Sequence, residues 1–196
     1  MTDIRSLDRR TLEITQAVVG QVRPDHLDRP TPCAEWTVRQ LLAHMTGQNY
    51  GFAAAADGIH TDRSHWADRD LGSDPAAAFR ASATRVTDAF ARDGVLDTDL
   101  WLPEVRGGQS FPARTAIGFH FVDYVVHGWD VAAAIAVPAP FDEELLHAVL
   151  PYALDVPEGE VRLRPGAAFS PGLATDRTDP LARVLAVLGR SPSWPH

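Results

Sequence analysis

Asp123 and His127 stand four residues apart in the stretch Gly118-Phe119-His120-Phe121-Val122-Asp123-Tyr124-Val125-Val126-His127-Gly128-Trp129-Asp130. On a helix that spacing puts a carboxylate and an imidazole one turn apart on one face, where they can grip one divalent ion. Phe119, Val122, Val126 and Val131 give the helix apolar flanks, so the pair is expected to point inward. Polar groups aimed into a core need a partner. A metal ion is one such partner, and a hydrogen bond between the two side chains is the other; a single D-x-x-x-H leaves both open.

A two-ligand pair needs a third group from elsewhere in the chain. His44 is the best-placed candidate, mid-helix beside Leu41 and Met45. Around these three, His120, Asp130, Trp129 and Gln48 are the pocket candidates. Asp130 follows His127 by three residues and either orients its free ring nitrogen or caps, or pairs with, a surface arginine. His120 precedes His127 by two turns, about 10 Å, too far to share an ion. It lines the entrance or is buried and hydrogen-bonded. Trp36 and Trp129 read as packing anchors, Cys33 as a small buried residue, and His60 and His65 as exposed loop histidines.

Composition narrows the chemistry. The net charge of −8 argues against nucleic acid or anionic membrane as a partner. The sequence has no lysine, which removes lysine Schiff-base chemistry. One cysteine excludes an intramolecular disulfide or a Cys-rich zinc site, leaving metal binding to His, Asp and Glu. No apolar run reaches the roughly 20 residues of a membrane span. The first residues, MTDIRSLDRRTLEI, lack the apolar core of a secretory signal, so a cytoplasmic location is expected.

The elements that must hold these residues are helical. Apolar spacing predicts a first helix over 3–22. Thr37 and Gln40 form a capping-box pattern opening a second helix that runs to Gly58. A third runs from Pro75 to about Arg92. Residues 94–111 read as irregular. The long fourth helix begins at Pro112 and ends before Pro138. A shorter pattern covers 142–156, and a last helix follows Asp179-Pro180. Val161 and Leu163 alternate as in a short edge strand. The fold expected is all-α: a four-helix bundle over 1–156, with 157–196 as a C-terminal extension packed on it and little or no strand.

Three segments resemble one family. Pro30-Thr31-Pro32-Cys33-Ala34-Glu35-Trp36-Thr37-Val38-Arg39-Gln40-Leu41-Leu42-Ala43-His44 is similar to the second-helix opening of actinobacterial DinB-like proteins, whose relatives include the mycothiol-dependent maleylpyruvate isomerases. Asp123 through Asp130 resembles that family's second signature, and Leu185 through Pro192 the close of its chains. The resemblance implies an up-down-down-up bundle and a metal held by His44, Asp123 and His127. The sequence departs from the pattern at Asp123, where the family carries the longer Glu or His. The isomerases also carry a larger C-terminal domain than about 40 residues can form.

Two imidazoles and a carboxylate suit Zn²⁺, with Ni²⁺, Fe²⁺ or Mn²⁺ as alternatives. Three protein ligands leave a position open for a reacting group. The resemblance implies a low-molecular-weight thiol, mycothiol, as the nucleophile or cofactor there, and a small-molecule electrophile as its partner. The expected reaction is S-transfer or thiol-assisted cis–trans isomerisation. The competing expectation is a non-catalytic, stress-related metal-binding bundle. Homodimerisation is left open.

Overall fold

The computed structural model describes residues 2–33, 36–105, 107–164 and 167–195. Ala34 and Glu35 of the first signature lie outside the described residues. The elements are α1 (Ile4–Val19), α2 (Val38–Ala56), α3 (Pro75–Ala91), β1 (Asp99–Leu102), β2 (Gln109–Pro112), α4 (Ala113–Ile135), α5 (Glu143–Leu154) and α6 (Pro180–Val187), with short 3₁₀ turns between them.

Local chemistry sets where the helices start. The side chains of Asp3, Asp74, Asp142 and Asp179 each accept a backbone N–H in the first turn of α1, α3, α5 and α6. At α2 the capping box is complete. The Gln40 amide donates to Thr37 Oγ1 at 3.4 Å, and the Thr37 amide donates to Gln40 Oε1 at 2.9 Å. Each cap satisfies a backbone donor that the helix itself leaves unpaired.

The packing contacts fix the helix directions. Along α2 and α4, Met45 pairs with Tyr124 and Asn49 with His120, so numbers rise on one helix as they fall on the other. Along α1 and α4, Asp8 meets His120 and Thr15 meets the Tyr124 carbonyl, so both rise together. Asn49 meets Ser82, and Phe52 meets Phe90, so α2 and α3 also run together. This is the up-down-down-up bundle that the resemblance implied.

The apolar core contains one polar layer, built from one residue of each bundle helix. His120 Nδ1 lies 2.6 Å from Asp8 Oδ1, and His120 Nε2 lies 3.1 Å from Asn49 Oδ1. The Asn49 amide donates to Ser82 Oγ at 2.9 Å, and Ser82 Oγ donates to the Phe79 carbonyl at 2.8 Å. All four side chains are buried, and each has a partner, as burial of polar groups demands.

Two segments differ from the sequence expectation. Within residues 94–111, read as irregular, β1 and β2 pair antiparallel, with Leu100 opposite Phe111 and Leu102 opposite Gln109. The period-2 signal is only Leu100 and Leu102, two buried residues in a four-residue strand, too short to read against the surrounding polar sequence. Val161 and Leu163 form no strand; Glu160–Leu163 is a 3₁₀ turn. The buried Arg162 at its centre donates to the Val156, Pro157, Ser170 and Val187 carbonyls, tying the turn to α6 and its approach. α5 packs against both α4 and α6. Among the described residues, no helix is long and apolar enough to cross a membrane.

Candidate functional site

Because α2 and α4 run antiparallel, their facing ridges place His44 near His127 and Gln48 at the level of Asp123. The His44 and His127 rings have centroids 6.1 Å apart and meet edge to face. His127 Nε2 lies 3.4 Å from Asp123 Oδ1. His127 is almost wholly buried, while Asp123 keeps 24% of its side-chain surface open to solvent.

Each imidazole is gripped on its Nδ1 side by a second carboxylate. Asp130 Oδ2 lies 3.0 Å from His127 Nδ1, and Asp68 Oδ1 lies 3.3 Å from His44 Nδ1. Asp130 is itself crossed by Arg190, whose Nε donates to Oδ1 at 3.1 Å and whose second guanidinium nitrogen donates to Oδ2 at 3.2 Å. Asp130 therefore contacts the His127 ring and also pairs with an arginine, which is buried and not the surface arginine expected. Trp36 packs on both histidines, 4.6 Å from the His44 ring and 6.3 Å from that of His127.

Electrostatics follow from these neighbours. Burial alone lowers the pKa of His127, but the Asp123 and Asp130 carboxylates outweigh it and raise the value above that of an ordinary histidine. Burial pushes the Cys33 thiol up to about 12; Arg190 opposes this, and the Asp130 and Asp123 carboxylates reinforce it. A thiol in that setting is a poor nucleophile at neutral pH.

Asp123 and His127 thus meet on one face of α4, and the His44 ring of α2 lies against that of His127. His120 lies elsewhere, buried in the polar core layer. Gln48 is buried and donates to Glu104, on the loop joining β1 and β2, at 3.2 Å. Trp129 is half-buried against the core. Sequence reasoning missed Asp68, Arg190 and the contact of Trp36 with both imidazoles. Asp68 sits in a polar loop rich in Asp and Arg, and only the glycines of α2, discussed below, mark its destination.

The arrangement can be tested for its fit to a metal ion. Two ligand atoms on one tetrahedral zinc ion lie about 3.3–3.4 Å apart, given bonds of about 2.0–2.1 Å. The 3.4 Å between His127 Nε2 and Asp123 Oδ1 has that spacing. Two imidazoles on one such ion have centroids about 5 Å apart. The 6.1 Å between the His44 and His127 rings is wider than that, so the α2 side stands open. The donor set suits a borderline cation, and Asp123 lies on the same helix face as His127. A tighter group of potential ligand atoms among the described residues is Cys33, His127 and Asp130, all within 4.8 Å of one another. There the guanidinium of Arg190 already supplies the positive charge against Asp130.

The model of the family described as "Mycothiol maleylpyruvate isomerase N-terminal domain" matches residues 9–132, which carry His44, Asp123 and His127. The uncharacterized proteins Rv0738 and MT0763, from two strains of Mycobacterium tuberculosis, are each 31% identical over 192 residues, covering 93% of this chain and 95% of theirs. Crystal structures of the mycothiol-dependent maleylpyruvate isomerase and of a mutant of it share the fold. Their TM-scores are 0.58 and 0.60 at 14% and 12% identity, and each match covers 81% of this chain and 73% of theirs. On the family match and the two mycobacterial relatives, this chain belongs to the family of the mycothiol maleylpyruvate isomerase N-terminal domain.

Proposed function

We propose that this protein is a metal- and thiol-dependent enzyme in which His44, Asp123 and His127 hold one divalent ion, mycothiol is the thiol cosubstrate, and the substrate is an electrophilic small molecule. The observation that carries the reading is the 3.4 Å spacing of His127 Nε2 and Asp123 Oδ1 facing the His44 ring across the bundle. Membership of a family described by its mycothiol-dependent isomerase supports the choice of thiol. Zn²⁺ is the first choice for two imidazoles and one carboxylate.

A free thiol with a pKa near 8.5 is only about 3% thiolate at pH 7, and a bound divalent cation removes that penalty. The chain's own residues prepare the place. Asp130, locked by Arg190, holds His127 by Nδ1 and turns Nε2 toward Asp123. Trp36 covers one side of both imidazoles and excludes water there. Asp123, partly open to solvent, borders the side from which thiol and substrate enter.

In the isomerisation, the thiolate sulfur adds to one carbon of an electron-poor cis double bond, and the displaced electron pair moves onto the conjugated carbonyl. Rotation about the resulting single bond precedes return of that pair, which re-forms the double bond in trans and expels the sulfur. The step is redox-neutral and consumes no thiol. In S-transfer the sulfur stays, and a proton adds to the neighbouring carbon.

The test is metal analysis of the purified chain together with turnover of maleylpyruvate in the presence and absence of mycothiol. Near-stoichiometric metal and turnover that needs both mycothiol and His44 are expected. Metal without any thiol-dependent turnover of this or other electrophiles contradicts the enzymatic reading and leaves a metal-binding bundle.

A further inference from the structure

The loop that delivers Asp68 to His44 is seated by two glycines of α2. Gly47 and Gly51 lie one turn apart on the helix that carries His44. A Cβ on Gly47 would stand 2.4 Å from the Ala67 carbonyl oxygen and 3.2 Å from the Asp68 Cα. A Cβ on Gly51 would stand 2.3 Å from Cδ2 of the Trp66 ring. Trp66 is buried there, 4.9 Å from the Phe52 ring between centroids. The Arg69 amide donates to the Ala43 carbonyl at 3.1 Å, on the residue before His44. Residues 66–69 are thus pinned at both ends along α2, with backbone against backbone between. Glycine inside a helix weakens it, so a pair of them there calls for a packing reason.

The seated loop brings Asp68 to His44. Its carboxylate lies 3.3 Å from His44 Nδ1 while keeping 63% of its own side-chain surface in solvent. A carboxylate accepts and cannot donate, and a neutral imidazole carries its hydrogen on one nitrogen only. The contact therefore places that hydrogen on Nδ1 and the lone pair on Nε2. Across the site, Asp130 likewise grips His127 by Nδ1. The two carboxylates differ in one respect: Asp130 is buried and crossed by Arg190, whereas Asp68 is exposed to solvent.

We propose that Asp68 is the positioning residue of His44: carried in by residues 66–69 on the Gly47/Gly51 groove of α2, it fixes the Nδ1–H form of the ring and presents the Nε2 lone pair to the site. Its consequence for metal binding rests on the function proposed above, but its effect on the ring does not.

The experiment separates the two. Ring-nitrogen shifts from long-range proton–nitrogen NMR are recorded on the metal-free wild-type chain, on Asp68→Ala and on Gly51→Ala, followed by zinc titration of each. The wild-type chain is expected to show His44 hydrogen-bearing at Nδ1. Asp68→Ala shifts the ring toward the Nε2–H form that free histidine prefers, and weakens zinc binding about 10- to 100-fold, as loss of an orienting partner does elsewhere. Gly51→Ala, which displaces Trp66, reproduces both changes with Asp68 still present. Identical His44 shifts in the wild-type chain and Asp68→Ala overturn the proposal, whatever zinc does. A wild-type chain that binds no zinc but shows the predicted change of tautomer overturns the metal reading and leaves this one standing.

Discussion

The guanidinium of Arg190 lies across both carboxylate oxygens of Asp130, at 3.1 and 3.2 Å, with both side chains buried. The two residues are 60 positions apart, so the segment after α6 is joined to the middle of α4 by a charged contact in the core. Because Asp130 also holds His127, the end of the chain is mechanically coupled to the candidate site. Arg190→Ala leaves the buried Asp130 with His127 as its remaining partner and without the guanidinium, which costs about 3–5 kcal/mol of stability. Arg190→Lys keeps the charge but loses the fork that engages both oxygens, and falls between. Urea unfolding monitored by tryptophan fluorescence checks the order wild type, Lys, Ala.

The polar core layer gives a second prediction. Removing His120 alone strands Asp8, and removing Asp8 alone strands His120. His120→Phe or Asp8→Leu is each expected to destabilise by about 3–5 kcal/mol, and the double variant by less than the sum, because neither member of the pair is then stranded by loss of the other. A double-mutant cycle in urea measures the difference; strict additivity argues that the pair is not coupled.

At Gly128 the close approach of α1 and α4 becomes measurable. A Cβ there would lie 2.6 Å from Thr15 Oγ1 and 3.1 Å from the Phe141 ring. Gly128→Ala therefore pushes Thr15 off the Tyr124 carbonyl it bonds at 3.3 Å. A loss of about 1–3 kcal/mol is expected from overpacking. That corresponds to a fall in Tm of about 2–12 °C for a chain of this size. Differential scanning calorimetry decides it.

Cys33 supplies the pH dependence. Its thiol is pushed up to about 12 in the folded protein, against about 8.5 for a free cysteine. The folded state thus binds a proton that the unfolded state releases between those values. The stabilisation is complete below about pH 8.5 and declines as pH rises, at up to about 1.4 kcal/mol per pH unit. Cys33→Ser is expected to flatten the stability curve between pH 8.5 and 9.5. At pH 8 the native thiol should react with iodoacetamide roughly a thousandfold more slowly than the urea-unfolded chain.

Much of this was legible in the sequence because the signals were local. The Thr37–Gln40 capping box, Pro75 at the start of α3 and the Asp123–His127 spacing each lie within one or two turns, where helix geometry fixes the outcome. What stayed hidden was set by tertiary contact. Nothing in the polar run around Asp68 distinguishes it from Asp62 or Asp70; the loop's path over Gly47 and Gly51 does. Arg190 looks like a tail residue until α6 folds back. Trp36 reads as a packing anchor from its size, and it does pack, but on the two imidazoles.

Zinc titration of the metal-free chain, read by isothermal calorimetry beside His44→Ala, Asp123→Ala and His127→Ala, probes the core of the account. One zinc ion per wild-type chain is predicted, with binding greatly weakened in each variant while Cys33→Ser binds as the wild type does. Zinc binding that survives in all three variants, or that is lost only with Cys33, would contradict a centre built from His44, Asp123 and His127.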